Sequence, residues 1–163
     1  MRTKAIESGA LSVILAALTR ENRLACLVAL ATGLRVSDVL DLRREKLEKE
    51  RFSVVERKTG KRKYIRLPPQ LRKELLKISG KVFIFPNRLN EYKTRTRQTV
   101  WKDLHRAAKL LRLKGLGTHS MRKTYAVELR KMGFNASHIQ KALNHTDYSI
   151  TMLYAYADEL SLR

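Results

Sequence analysis

The sequence has 163 residues, 44% of them apolar, and 35 Lys and Arg against 15 Asp and Glu give it a formal charge of +20. That length fits a single domain with an adequate core, and one cysteine, Cys26 in the apolar run 24–31, excludes an internal disulfide and suits a buried thiol in a reducing compartment. The apolar runs are too short to span a bilayer, no secretory pattern opens the chain, and no repeat or low-complexity tract supports a solenoid or a disordered tail, so a cytoplasmic protein is expected.

The charge is concentrated. Residues 43–81 hold 15 basic and 5 acidic side chains and residues 88–114 hold 9 and 2, so 17 of the 20 net charges lie in the middle of the chain. Such a belt attracts nucleic acid. A solvated basic face or an anionic membrane surface shares the composition, but no basic amphipathic helix dominates.

In chain order, Gly9 precedes Leu11, Ile14, Leu15 and Leu18, an amphipathic helix, and 21–32 reads as a second, buried one ended by Gly33. Ser37 and Asp38 begin a short third helix through Leu42, which places Arg35 in a turn. An arginine there is ordinarily a solvated charge or a helix cap; on the rigid base of a buried helix it can also fork two N–H groups onto a phosphate. Segments 52–55 and 64–67 are β-rich and flank Lys58-Thr59-Gly60-Lys61, a hairpin turn. In so basic a hairpin Lys58 reads as a phosphate contact, although its flexible stem can also carry a proton into a groove. Pro68 and Pro69 stop the strand and open a helix through Ile78, and 82–85 is expected to be a third short strand before Pro86. A basic helix is expected over 90–114, with Val100, Leu104, Ala107, Ala108 and Leu111 inward, Trp101 in core or rim packing, and His105 on the surface.

Thr118 is expected to cap a helix to Met132, on which Met121, Tyr125, Leu129 and Met132 recur at helical spacing before Gly133. The three-residue step places His119 and Arg122 on one face of its first turn, beside free N–H groups that suit a phosphate. A helix over 135–143, bearing surface His138, ends at Asn144, which tolerates left-handed backbone. Asp147 or Ser149 then caps a last helix, with Ile150, Leu153, Ala157 and Leu160 as its packing face, and this helix carries Tyr154.

Thr118-His119-Ser120-Met121-Arg122, Leu143-Asn144-His145 and Tyr154, preceded by Thr32-Gly33-Leu34-Arg35-Val36-Ser37-Asp38 and by Lys58 in Arg57-Lys58-Thr59-Gly60, resemble the catalytic signature of the tyrosine recombinases, or phage-type integrases. All five elements occur in family order between Leu11 and Ala157, which is more specific than any one of them. The resemblance implies an α+β fold, mainly α, with a small antiparallel sheet: a single catalytic domain over 1–163, without the N-terminal core-binding and arm-binding domains. It implies a site-specific DNA recombinase that cleaves and rejoins double-stranded DNA through a covalent 3′-phosphotyrosine. Arg35 and Arg122 then clamp the phosphate, Tyr154 attacks, His119 takes its proton, Lys58 protonates the leaving 5′ oxygen and His145 bonds the phosphate. Self-association into a tetramer on DNA is the implied assembly, and no metal, ATP or other cofactor is expected. Asn144 stands where the family usually has glycine, and Asp38, where many members have glutamate, is expected to buttress Arg35.

Tyr148 and Tyr156 also follow His145. A helix turns about 200° over two residues, so Tyr154 and Tyr156 cannot face one phosphate, and the family interval of nine residues selects Tyr154. Three other readings compete: a type IB topoisomerase with the same chemistry, a non-enzymatic basic DNA-binding module, and a zinc site. His119, His138 and His145 lack the close ligand pairs that zinc requires.

Overall fold

Apolar residues at helical spacing set most of the architecture. The computed structural model describes residues 4–6 and 8–158, with only the backbone at Ser8. Its elements are α1 (Ser8–Ala16), α2 (Arg20–Thr32), α3 (Val36–Leu40), a 3-10 turn (Arg44–Glu48), β1 (Arg51–Val55), β2 (Arg62–Arg66), α4 (Pro69–Ile78), α5 (Arg97–Leu110), α6 (Ser120–Lys131), α7 (Ala136–Ala142) and α8 (Tyr148–Ala155). The fold is mainly helical with one small antiparallel sheet, as the sequence leads one to expect.

Helix α2 is the axis of the larger core. Its Leu24, Ala25, Cys26, Val28 and Ala29 are buried among side chains from α1, α3, α4, α5 and the hairpin. Burial pushes the Cys26 thiol up to about 12, with Asp103 adding to the effect, so this is a packing cysteine. Asp103 of α5 anchors the start of α2: its Oδ2 accepts the Thr19 N–H, the Thr19 hydroxyl and the Asn22 amide, each at 2.8 Å. A carboxylate there satisfies donors that the first turn leaves unpaired and suits the helix dipole.

At the other end of α2, Gly33 takes φ +67° and its N–H reaches the Ala29 carbonyl at 2.8 Å. A Cβ on Gly33 would stand 2.5 Å from two carbons of the Tyr125 ring, so glycine is needed both for the left-handed turn and for the close approach of α6.

The strands pair from Arg51↔Arg66 to Val55↔Arg62. Alternation turns Phe52 and Ile65 into the core and leaves Arg51, Tyr64 and Arg66 outside. A second, smaller apolar cluster joins Ala126 of α6, Ile139 of α7, Leu143 and Ala155 of α8, flanked by Tyr125, Leu129 and Tyr154.

Four expectations need correction. Residues 82–85 form no strand. They make an isolated bridge, Arg43↔Phe83, with two backbone bonds from Arg44 to Val82 and from Ile84 to Leu42, because Gly80 and Pro86 leave too short a run to build a ladder. The basic helix begins at Arg97, not Asn90: the Asn87 and Asn90 side chains hold local turns by accepting the Leu89 and Tyr92 N–H groups at 2.9 Å, and Thr96 supplies the cap. Thr118 does not cap α6. His119 occupies that position, and the Ser120 hydroxyl accepts from Gly117 N at 3.0 Å.

The fourth correction concerns α8. Ile150 and Leu153 are exposed, and the helix packs through Thr151 and Ala155, small residues one turn apart that let it approach α6 and α7 closely. Ala157 is buried as expected; Leu160 lies outside the described residues. The Asn135 cap of α7 and the Asp147 cap of α8 both form. Trp101 sits at the rim, 47% exposed and stacked on His105, while His138 stacks on Phe134 at the surface.

Candidate active site

Arg35 is the residue before α3, held two positions after the Gly33 turn. Its guanidinium pairs with Glu56, a fully buried carboxylate just beyond β1. Arg122, on the first turn of α6, is 1% exposed. It donates to the Gly33 carbonyl at 2.6 Å and to the Leu143 carbonyl, and its Nη1 lies 3.7 Å from Glu56 Oε2. The two arginines thus share one carboxylate. Burial, then Arg35, lowers the Arg122 pKa to about 10, which still leaves it charged at neutral pH.

Asn144 adopts φ +50°, so the chain turns out of α7 as the residue type allows, and its side-chain amide donates to Glu56 Oε1 at 2.7 Å. His145 follows, with Nδ1 3.1 Å from the Thr151 hydroxyl. Burial, then Arg122, Arg35 and Lys58, push its pKa down to about 4, so the ring is neutral. A neutral ring that accepts the Thr151 proton at Nδ1 carries its own proton on Nε2, where it can be donated.

Tyr154 sits edge-on to His145, with ring centroids 4.9 Å apart. Its hydroxyl is 3.4 Å from His119 Nδ1. Burial holds the phenol above its ordinary pKa against the opposing pull of Arg122 and Arg35. His119 is lowered, first by burial and then by Arg122 and Arg97, so its imidazole is neutral and able to accept a proton. Tyr156 points away and lies under the Arg130 guanidinium, 4.7 Å from its ring centroid, and Tyr148 is exposed at the start of α8.

Lys58 projects from the hairpin end and is exposed. With Arg35, Arg97, Thr118 and His119 it lines an open cleft of about 450 Å³. A larger hollow of about 680 Å³ lies beside the 3-10 turn and the outer face of the strands, and contains none of these residues. All six residues singled out from the sequence therefore lie around one basic site. Asp38 does not pair with Arg35 as expected: its Oδ1 accepts the Arg57 N–H at 3.1 Å, and Glu56 takes the arginine instead.

Sequence reasoning missed Glu56, Lys63 and Arg97. Glu56 is the single acid in the basic stretch 51–66, which was a usable signal. Lys63 lies in phase with buried Ile65 on the inward face of β2, also legible from alternation. Its ammonium donates to the Thr32 and Ala142 carbonyls, tying the Arg35 turn to the His145 turn, and burial, then Arg122, lowers its pKa to about 8. Arg97 opens α5 and reaches the cleft through tertiary packing, which no local pattern announces. Among the described residues, no three His, Cys, Asp or Glu side chains gather as a metal site requires.

Two arginines, two histidines and a tyrosine are thus brought together at one basic site of a helical domain. The phage integrase family profile matches residues 5–160, and the chain belongs to that family, the tyrosine recombinases. The probable integrase/recombinase YoeC of Bacillus subtilis (strain 168) is 30% identical over 141 residues, 81% of this chain and 75% of that protein. Tyrosine recombinase XerC of Roseiflexus castenholzii is 31% identical over 147 residues, 80% of this chain and 46% of that one. The crystal structure of a lambda integrase dimer bound to a COC′ core site has the same fold, with TM-score 0.75 and 22% identity over 95% of this chain and 48% of that one. The chain thus spans three quarters of the Bacillus protein and about half of the other two.

Proposed function

We propose that this domain cleaves and rejoins double-stranded DNA as the catalytic part of a site-specific recombinase, acting on DNA in the cytoplasm. The observation that carries the reading is the Tyr154 hydroxyl, 3.4 Å from His119 Nδ1 and edge-on to His145, beside two arginines that share a buried carboxylate.

In this reading a phosphodiester enters the cleft over Arg35 and Arg122, whose charges offset the one that grows on the non-bridging oxygens in the transition state. His145 donates from Nε2 to one of those oxygens. The ordinary phenol pKa of about 10 makes Tyr154 a poor nucleophile at neutral pH, and burial raises it further, so its proton must leave as the Oη–P bond forms. His119 Nδ1 takes it; 3.4 Å is a loose contact that tightens when substrate orders the site. The P–O5′ bond breaks and Lys58 gives its proton to the departing oxygen, leaving a 3′-phosphotyrosyl ester and a free 5′ hydroxyl. Bond energy is conserved in the ester, so a DNA hydroxyl can reverse the step. Strand exchange requires cleaved ends from more than one protomer, which is why self-association on DNA forms part of the proposal.

The test uses a pool of nicked duplexes of randomised sequence, in which the short cleaved strand diffuses away and traps the ester for denaturing electrophoresis. The wild-type chain and Tyr156→Phe are expected to form a protein–DNA adduct, and Tyr154→Phe to bind DNA without forming one. An adduct with Tyr154→Phe and none with Tyr156→Phe would reassign the nucleophile; no adduct with the wild-type chain would overturn the strand-transfer reading.

A further inference from the structure

Glu56 is fully buried in the middle of a basic site, and both its oxygens are engaged. Oε2 pairs with Arg35 and lies 3.7 Å from Arg122; Oε1 accepts the Asn144 amide at 2.7 Å. Its own backbone is fixed at the neck of the hairpin, where its N–H reaches the Lys61 carbonyl at 3.0 Å and its carbonyl takes the Gly60 N–H at 2.8 Å. One carboxylate therefore touches the Arg35 turn, the first turn of α6 and the turn that presents His145, while standing two residues before Lys58.

We propose that Glu56 is a positioning residue for the cleavage step: it sets the orientation of both arginines and, through Asn144, of His145. The proposal rests on the strand-transfer reading above.

Two guanidiniums held side by side repel each other and have several rotamers that avoid contact. A buried carboxylate between them removes the repulsion and fixes which N–H edges remain for a ligand. It also offsets part of the local charge, since one of the two guanidinium charges is balanced by the carboxylate while Lys58 and Arg97 line the same cleft. Without Glu56 the pair would attract DNA as well or better in the ground state, but with its N–H groups misaligned for the transition state. Binding and chemistry should then separate.

Asn144 supplies the second branch. The resemblance puts glycine at this position, and φ +50° is met by glycine or asparagine; here the side chain is used to reach Glu56. Asn144→Gly therefore keeps the turn and removes the link.

Glu56→Gln removes the negative charge and replaces one of the two acceptors with an NH2 donor, set against either Arg35 or the Asn144 amide. With the nicked-duplex pool under single-turnover conditions, its adduct should form about a hundredfold more slowly, while DNA affinity in a gel-shift titration is unchanged or tighter. Asn144→Gly should show a smaller loss, about tenfold, with affinity unchanged. Glu56→Asp, which keeps the charge one methylene short, should fall between Glu56→Gln and the wild-type chain. A rate equal to wild type in Glu56→Gln or in Asn144→Gly overturns the proposal, as does a rate that falls only in step with affinity or with the folded fraction read by circular dichroism. If Glu56→Gln does not fold, Asn144→Gly decides. No adduct from the wild-type chain overturns the strand-transfer reading and this proposal together; a wild-type adduct matched by Glu56→Gln overturns the positioning role alone.

Discussion

Gly33→Ala should destabilise the protein well beyond the cost of its backbone conformation, and Gly60→Ala provides the built-in comparison. Both glycines have nearly the same positive angle, φ +67° and +65°. An added Cβ meets nothing within 4 Å at Gly60, but at Gly33 it stands 2.5 Å from the Tyr125 ring. The left-handed conformation costs an alanine about 1–2 kcal/mol, and reduced freedom of the unfolded chain returns about 0.5 kcal/mol. Gly60→Ala should therefore lose about 1 kcal/mol. At Gly33 overpacking adds about 1–3 kcal/mol, for a total of about 3 kcal/mol. At roughly 2–4 °C per kcal/mol for a chain of this size, that is a fall in Tm of about 6–12 °C for Gly33→Ala and about 2–4 °C for Gly60→Ala, read by thermal unfolding under one set of conditions. Tyr125→Leu in the Gly33→Ala background should recover part of the difference by removing the ring edge. Equal losses at the two glycines would refute the steric account, leaving φ as the whole effect.

Lys58→Ala should cleave slowly on ordinary DNA, yet recover on a duplex in which the bridging 5′ oxygen at the phosphate cleaved by the wild-type chain is replaced by sulfur, because a thiolate leaves without a proton; equal defects on both substrates would reduce Lys58 to a phosphate contact. His145 has a folded-state pKa of about 4 against an ordinary 6.5, so its contribution is fully present above pH 6.5 and is lost as pH falls toward 4. That loss is on the order of 3 kcal/mol, and urea unfolding of His145→Gln should show a flatter pH dependence than the wild-type chain; parallel curves would contradict the assignment. Adduct formation should persist in excess EDTA, since the proposed mechanism assigns charge neutralisation to Arg35 and Arg122; activity lost on chelation and restored by Mg²⁺ would reverse that view.

Much of the fold is legible where one local signal acts alone. The β-branched and aromatic segments around Lys58-Thr59-Gly60-Lys61 give the hairpin, the paired prolines give the start of α4, and the apolar stretch of α2 gives the core. Failures come where a local preference meets a competing partner. Asn87 and Asn90 use their side chains on their own backbone and delay α5 to Arg97. Ile150 and Leu153 look like a packing face, but close approach favours the smaller Thr151 and Ala155. The six site residues lie in recognisable order along the chain, whereas Glu56 and Lys63 act by joining segments far apart in sequence. Glu56 bonds Asn144 and Lys63 bonds Ala142 across 88 and 79 residues, so their inward placement can be read from strand alternation but their partners cannot.

The two apolar clusters differ greatly in size. α2 and its neighbours form the larger one, which bears Arg35, Glu56 and Lys58 on its rim; Ile139, Leu143 and Ala155 reach it chiefly through α6. So few buried side chains give α7 and α8 a low free energy of local opening compared with the rest of the chain. Such an opening would displace His145 and Tyr154 together while Arg35, Glu56 and Lys58 keep their place on the larger cluster. Opening of that helix pair alone would separate Tyr154 from the two arginines without unfolding the larger core. The polar ties that reach this unit, Arg122 to Leu143, Lys63 to Ala142 and Glu56 to Asn144, hold it closed.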